Sequence, residues 1–177
     1  MTDSGGAHDY GVVYKLTPGS GGVWTEKVLN SFPGGTGGAF PVGKLALDSA
    51  GNLYGTTYYT AYELAQSPGG TWTVKTLRTF AGGADGANLQ SGLVFDKAGN
   101  LYGTSNRGGT HRGTVFELSP QPNGVWTEKI LHRFYATGGD GVLPFYALLT
   151  VDANGNVYGT TEHGGTSNNG VVFKIAP

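Results

Sequence analysis

The sequence predicts an all-β protein built from tandem copies of one short unit, and three observations carry that expectation. Glycine accounts for 33 of 177 residues, only 13% are Asp, Glu, Lys or Arg, and 38% are hydrophobic. That balance, without a period of three in the glycines, fits neither collagen nor a disordered chain. Gly and Asn punctuate short segments rich in Tyr, Val, Leu, Thr and Trp, the composition of strands joined by tight turns. The third observation is internal repetition. Asp48-Ser-Ala-Gly-Asn-Leu-Tyr-Gly-Thr56 returns as Asp96-Lys-Ala-Gly-Asn-Leu-Tyr-Gly-Thr104 and as Asp152-Ala-Asn-Gly-Asn-Val-Tyr-Gly-Thr160, after 48 and then 56 residues. Two further motifs recur in step with it: Val23-Trp-Thr-Glu-Lys-Val-Leu29 at 71–77 and 125–131, and Tyr14-Lys-Leu16 at 62–64, 116–118 and 173–175. Three co-linear motifs in register make a repeat architecture.

Each copy resolves into four strands, a to d. Strand a holds Leu45 to Leu47, Leu93 to Phe95, or Leu148 to Val151, and runs into the Asp-x-x-Gly-Asn turn. There the Asp side chain accepts from amides ahead of it, and Gly or Asn tolerates positive φ. Strand b is the Leu/Val-Tyr-Gly-Thr segment anchored by Tyr54, Tyr102 and Tyr158. Strand c is the Tyr/Phe-x-Leu/Ile segment, and strand d runs from Trp24, Trp72 or Trp126 towards Phe32, Phe80 or Phe134. Tyr54, Tyr102 and Tyr158 are expected to be mostly buried, along with Leu45, Leu47, Leu93 and Phe95. No segment shows the 3.6-residue apolar period of a helix. Four antiparallel strands in about 50 residues match one blade of a β-propeller.

The strand order reads cd, abcd, abcd, abc: one repeat domain over 1–177, with a partial blade at 1–40, blades at 41–88 and 89–142, and a partial blade at 143–177. Propellers close with roughly four to eight blades, and unpaired sheet edges invite aggregation. About three and a half copies per chain therefore predict closure by oligomerisation, as a homodimer with six blades. A nine-bladed trimer would need a wider channel.

Composition also narrows the function. A formal charge of −1 without a basic stripe argues against nucleic-acid binding. The absence of Cys excludes disulfides and thiolate metal sites. No apolar run approaches the ~18 residues of a membrane span, and Met1 to Gly6 do not read as a signal peptide.

The order Asp-x-x-Gly-Asn-Leu-Tyr-Gly-Thr-Thr, Gly-Gly, Gly-Val-Val-Phe-x-Leu, Trp-Thr-Glu-Lys-Val-Leu, Phe-x-Gly-Gly resembles the GloVer (Gloeo/Verruco) tandem repeat of bacterial proteins along essentially the whole chain. Strand a, its turn and strand b are also similar to the NHL and gluconolactonase-like propeller blade. The GloVer resemblance implies export and attachment at the cell surface, and implies no chemistry. The second copy departs from the pattern by lacking the Gly-Gly loop.

Residues shared by the copies read as the fold: the turn aspartates, the strand-d charges Glu26, Lys27, Lys75, Glu128 and Lys129 as blunting an outer edge, and the tryptophans as packing between blades. Function is expected where the copies diverge, on the rim formed by the b–c and d–a connections. His8, Asp9, Tyr58, Tyr59, Arg107 and Arg112 are the candidate ligand-binding residues there, and Tyr10 shares the variable loop of His8 and Asp9. Glu162, Asp140, Asp85, His111 and His163 are the candidate general acids and bases. For Asp85 and Asp140 the alternative is stabilisation of Gly-Gly-x-Asp-Gly turns. No His pair has metal-ligand spacing, no Ser sits in a nucleophile elbow, and no glycine loop cradles phosphate, so neither a metal nor a cofactor is expected. Three readings remain open: an extracellular or cell-surface binding module with carbohydrate as its ligand, a glycosidase- or esterase-type hydrolase, and an engineered or excised propeller fragment without native activity.

Overall fold

The computed structural model describes residues 1–108 and 112–177. Sixteen strands, with no α-helix among the described residues, follow the expected order. The chain opens with the hairpin β1 (Val12–Pro18) and β2 (Trp24–Ser31), strands c and d of the first copy. A four-stranded meander follows: β3 (Val42–Leu47), β4 (Leu53–Thr56), β5 (Thr60–Gln66) and β6 (Trp72–Thr79). In the third copy, β7 (Ala87–Leu89) and β8 (Val94–Phe95) both pair with β9 (Leu101–Arg107), which continues into β10 (Thr114–Pro120) and β11 (Trp126–Arg133). The last copy holds β12 (Gly141–Val142) paired with β15 (His163–Gly164). Beside it lies a three-stranded sheet of β13 (Thr150–Val151), β14 (Val157–Thr160) and β16 (Val172–Ile175).

The repeated turn motif earns its residues at the a–b hairpins. Asp48 accepts from the amides of Ala50 (2.9 Å) and Asn52 (2.8 Å) through one oxygen, and from Asn52 Nδ2 (2.9 Å) and the Tyr54 hydroxyl (3.2 Å) through the other. Asp96 and Asp152 repeat the set with Asn100 and Tyr102, and with Asn156 and Tyr158. Gly51, Gly99 and Gly155 between them sit at φ of 89°, 89° and 81°, which side-chain-bearing residues rarely adopt. One carboxylate thus fixes the turn and orients the strand-b tyrosine. The glycine after that tyrosine has a different task. A Cβ on Gly103 or Gly159 would lie 2.5 Å from the strand-c ring of Phe116 or Phe173, and one on Gly55 2.5 Å from the Tyr62 hydroxyl, so only Gly lets that side chain lie across strand b.

All three c–d hairpins bulge at the same place, between Val13 and Tyr14, Ala61 and Tyr62, and Val115 and Phe116. The bulge bends the end of strand d inward and delivers Phe32, Phe80 and Phe134 into fully buried positions.

Successive sheets pack face to face, giving three cores along the chain. Val13 and Phe32 meet Tyr62 and Leu64; Tyr54, Ala61, Leu77 and Phe80 meet Leu93, Leu101, Phe116 and Leu118. Tyr102, Val115 and Phe134 meet Leu149 and Val157, with Phe173 and Ile175 against them. Strands β3 and β8 and residues 148–150 together line a trough of about 570 Å³.

Four expectations need correction. Strand a is shorter than read: Leu93 precedes β8, and Leu148 and Leu149 precede β13. Leu47 is 64% exposed, because the two-stranded first sheet has no strand-b tyrosine to cover it. Tyr158 is half-buried where Tyr54 and Tyr102 are buried, since no strand a lies over it. Glu128 is not an outer-edge charge: its side chain is 7% exposed and its carboxylate lies 2.7 Å from Arg78 Nε of the preceding sheet.

Candidate functional site

The b–c and d–a connections are hydrogen-bonded to each other, which gathers the variable loops on one rim. Phe40 N donates to Tyr10 O, Leu89 N to Tyr58 O, Leu143 N to Arg112 O and Glu162 N to Leu143 O. The short pairs β7–β9 and β12–β15 belong to this rim, with Ala87 opposite Arg107 and Val142 opposite His163. Among the described residues six non-glycines have left-handed φ: Asp9, Phe40, Asn88, Leu143, Tyr146 and Asn168. All lie in b–c or d–a connections. Backbone held in this sparsely populated region costs about 1–3 kcal/mol per residue and concentrates at ligand clamps. The opposite rim keeps its left-handed positions on glycine.

The rim divides into three stations. At the first, an aromatic strip runs along the surface. Tyr10 packs edge-on to Phe40 (centroids 5.7 Å), Phe40 lies 5.4 Å from Tyr58, and Tyr58 lies 6.4 Å from Tyr59. Tyr10 and Tyr59 are 39% and 51% exposed. Tyr10 rests on Gly34, where a Cβ would fall 2.5 Å from its ring. His8 and Asp9 flank the strip, both exposed. Asp9 Oδ1 accepts from Gly5 N at 2.9 Å, and Asn168 makes the same bond with Gly164 N at 3.0 Å, so this Asx contact shapes the loop in both copies that carry it. Tyr58 and Tyr59 thus gain two ring partners, Tyr10 of the variable first loop and Phe40, which sequence reasoning missed. The available signal was Phe40, a large aromatic standing where the other copies have Asn88 and Leu143.

The second station is ionic. Arg78 bridges Asp85 (3.2 Å) and Glu128 (2.7 Å). Burial pushes the Glu128 carboxyl above its ordinary range, outweighing the pull of Arg78, and neighbouring Asp85 adds to the rise. Arg107, paired through its backbone with Ala87, is exposed.

The third station is a polar cavity of about 420 Å³ lined by Arg112, Thr137, Asp140, Gly164 and Asn168 among others. Asp140 accepts from Tyr135 N (3.0 Å) and Gly141 N (2.8 Å) and lies 3.1 Å from His132 Nε2. Glu162 and His163 are exposed at its edge, 3.8 Å apart. The three candidate acids are therefore held in separate pairings: Asp85 with Arg78, Asp140 with His132, Glu162 with His163. His111 lies outside the described residues.

A repeated all-β sheet, a uniform rim of clasped turns and a divergent rim define a tandem-repeat protein whose copies share a scaffold and differ in their loops. The chain belongs to the Gloeobacter/Verrucomicrobia repeat family, whose model matches residues 1–177. No curated protein matches it. Among the described residues no helix is long and apolar enough to cross a membrane.

Proposed function

We propose that the chain forms blades of a β-propeller that serves as a binding module outside the cell, taking carbohydrate on the rim of b–c and d–a connections. The observation that carries this reading is the strip of Tyr10, Phe40, Tyr58 and Tyr59, with Tyr10 and Tyr59 open to solvent. Flat apolar rings with polar tips suit the C–H faces and hydroxyls of a pyranose. His8, exposed beside the strip, adds a donor or acceptor, and Arg107 and Arg112 extend the polar surface along the rim. The trough lined by strands a supports the propeller, since in a closed ring it becomes the wall of the central channel. An extracellular or cell-surface location follows from what the repeat resemblance implies. Closure of the ring falls to a second copy of the chain, giving a homodimer.

The test is a glycan-array screen followed by calorimetry on any polysaccharide retained. Binding is expected, and Tyr10→Ala and Tyr59→Ala should abolish it while the far-UV circular dichroism stays that of the wild type. Retention of binding by both variants would overturn the site. A hydrolase reading has one specific feature in its favour, the cavity shared by Arg112 and Asp140. It weighs less because no second candidate carboxylate lines that cavity with Asp140. Turnover of a chromogenic glycoside or ester, lost in Asp140→Asn, would put it first.

A further inference from the structure

Three b–c connections enter strand c through the same backbone contact. Phe32 N donates to Gly11 O, Phe80 N to Tyr59 O and Phe134 N to Gly113 O, at 3.0, 2.8 and 3.0 Å. The residue just before each of those carbonyls occupies one equivalent position on the rim, held by Tyr10, Tyr58 and Arg112. Its own carbonyl is fixed as well. Tyr10 O accepts from Phe40 N and Arg112 O from Leu143 N, both at 2.9 Å, and Tyr58 O accepts from Leu89 N at 3.0 Å. The backbone alone thus presents whatever side chain stands there. Two of the three are rings of the aromatic strip. The third is a guanidinium.

The neighbouring d–a connection changes with it. At Tyr10 the chain comes up against the ring, so that a Cβ on Gly34 would fall 2.5 Å from it. At Arg112 the connection leaves the cavity of about 420 Å³, lined also by Thr137, Asp140, Gly164 and Asn168. No ligand is needed to form these walls. Gly165 N donates to Asp140 O at 2.9 Å, Glu162 N to Leu143 O at 3.0 Å, and Gly141 and Val142 pair with Gly164 and His163. A Cβ on Gly164 would lie 2.3 Å from Asp140 O, so only Gly lets the two connections meet here. A preformed cleft of roughly 300–1,000 Å³ is the usual size of a small-ligand site.

The two charges that line this cavity are not alike. Asp140 is engaged by its own turn: its carboxylate accepts from Tyr135 N at 3.0 Å and Gly141 N at 2.8 Å, and lies 3.1 Å from His132 Nε2. Arg112 makes no ion pair and no side-chain hydrogen bond among the described residues. Glu162 at the cavity's edge faces His163 instead, at 3.8 Å. The charge left without a counterpart is therefore positive, and it is carried by a planar fork of N–H donors that fits a carboxylate through two parallel bonds. Resting on the carbohydrate reading above, we infer that Arg112 is a specificity-determining residue. It takes the carboxylate of an acidic sugar of the uronic-acid class, while Tyr10, Tyr58 and Tyr59 take sugar faces. An acidic polysaccharide offers both features in one molecule, as the rim offers rings and a guanidinium at equivalent positions.

Calorimetry on the full-length chain tests this with oligomers of galacturonate, glucuronate and mannuronate, each beside its carboxyl-reduced neutral form. At least one acidic oligomer should bind about tenfold or more tighter than its neutral form, the gain of a charge-assisted pair. Arg112→Ala should erase that ratio, and Arg112→Lys, which keeps the charge without the fork, should retain only part of it. Both variants should keep the wild-type urea midpoint, since Arg112 is exposed and holds the loop through its backbone carbonyl. Lys97, an exposed cation at an a–b turn, supplies the control. Lys97→Ala should leave the ratio unchanged, and a loss equal to that of Arg112→Ala would assign the preference to overall charge and sink the proposal. Sulfated dextran bound through Arg112 as tightly as the acidic oligomer would also sink it, because any anion would then do. Tyr59→Ala should weaken acidic and neutral forms alike. Binding without an acid preference would overturn the role of Arg112 and leave the carbohydrate reading standing. No binding of any oligomer, acidic or neutral, would overturn the two together.

Discussion

At the a–b turns, Asp48, Asp96 and Asp152 each make the same four hydrogen bonds. On the opposite rim no two aspartates do the same work. Asp9 caps a loop amide, Asp85 meets Arg78, and Asp140 meets His132 and two amides. The two rims belong to the same strands, so the contrast is not one of scaffold. It separates residues whose partners lie within a few positions in the chain from residues whose partners depend on how loops of neighbouring copies meet. The first kind is fixed by the repeat. The second kind is free to vary, and the left-handed Phe40, Asn88 and Leu143 mark where backbone strain is accepted there.

The comparison breaks first if the packed middle is not what holds both rims. Phe116 is fully buried, lies 4.7 Å from Phe80 of the preceding sheet and crosses Gly103 on its own. Phe116→Ala should cost about 3–5 kcal/mol, read as a large fall in the urea midpoint. A shift under about 1 kcal/mol would mean that the sheets do not rely on this interface.

A smaller effect tests the clasped rim. Asp96→Ala removes a capping carboxylate and leaves the Ala98 and Asn100 amides without their acceptor, a loss of about 1–2 kcal/mol by analogy with helix caps. The acid dependence has a definite sign. Burial acts to raise the carboxyls of Asp48 and Asp96, but the hydrogen bonds from Asn52 and Tyr54, and from Asn100 and Tyr102, win and lower them. Asp152, led by its bond from Asn156, is lowered to about 2. Groups held lower in the folded state than in the unfolded chain contribute stability that is present above the unfolded value of 3.8. That contribution is lost as pH falls through the folded values. Unfolding followed from pH 5 to pH 2 should therefore steepen below about pH 4, and Asp96→Ala should show less of that fall than the wild type.

How much of this could be read from the chain follows the same division. The four strand classes, the turn geometry and the pairing of strand c with strand d were legible, because each is written in residues a few places apart and repeated. The exposure of Leu47 was not, since it depends on what the preceding sheet lacks. Glu128 was misread for a related reason: its partner Arg78 belongs to another copy, at a position where the others have Asn30 and His132. On the rim, Tyr58 and Tyr59 stood out as a departure from the Gly-Gly loop. Phe40 did not, nor did its contact with Tyr10, because only the folded d–a connection brings the two rings together.

The smallest effect on stability is expected at Tyr59. Its ring is 51% exposed, and its backbone bonds, N to Thr57 Oγ1 and O from Phe80 N, do not need the side chain. Tyr59→Ala should thus keep stability within about 0.5 kcal/mol of the wild type, as an exposed substitution does. The tilt of Tyr58 onto Phe40 should persist too, since that contact does not pass through Tyr59. The variant separates the two roles that the aromatic strip could have. If the strip is a packing device, Tyr59→Ala lowers the urea midpoint and the loss grows when Tyr10→Ala is added. If it is a platform for a ligand, the midpoint holds, and what disappears is retention on the polysaccharide that the wild type binds. A fall of more than about 1 kcal/mol in the single variant would assign Tyr59 to the scaffold and erase the difference between the two rims at this station.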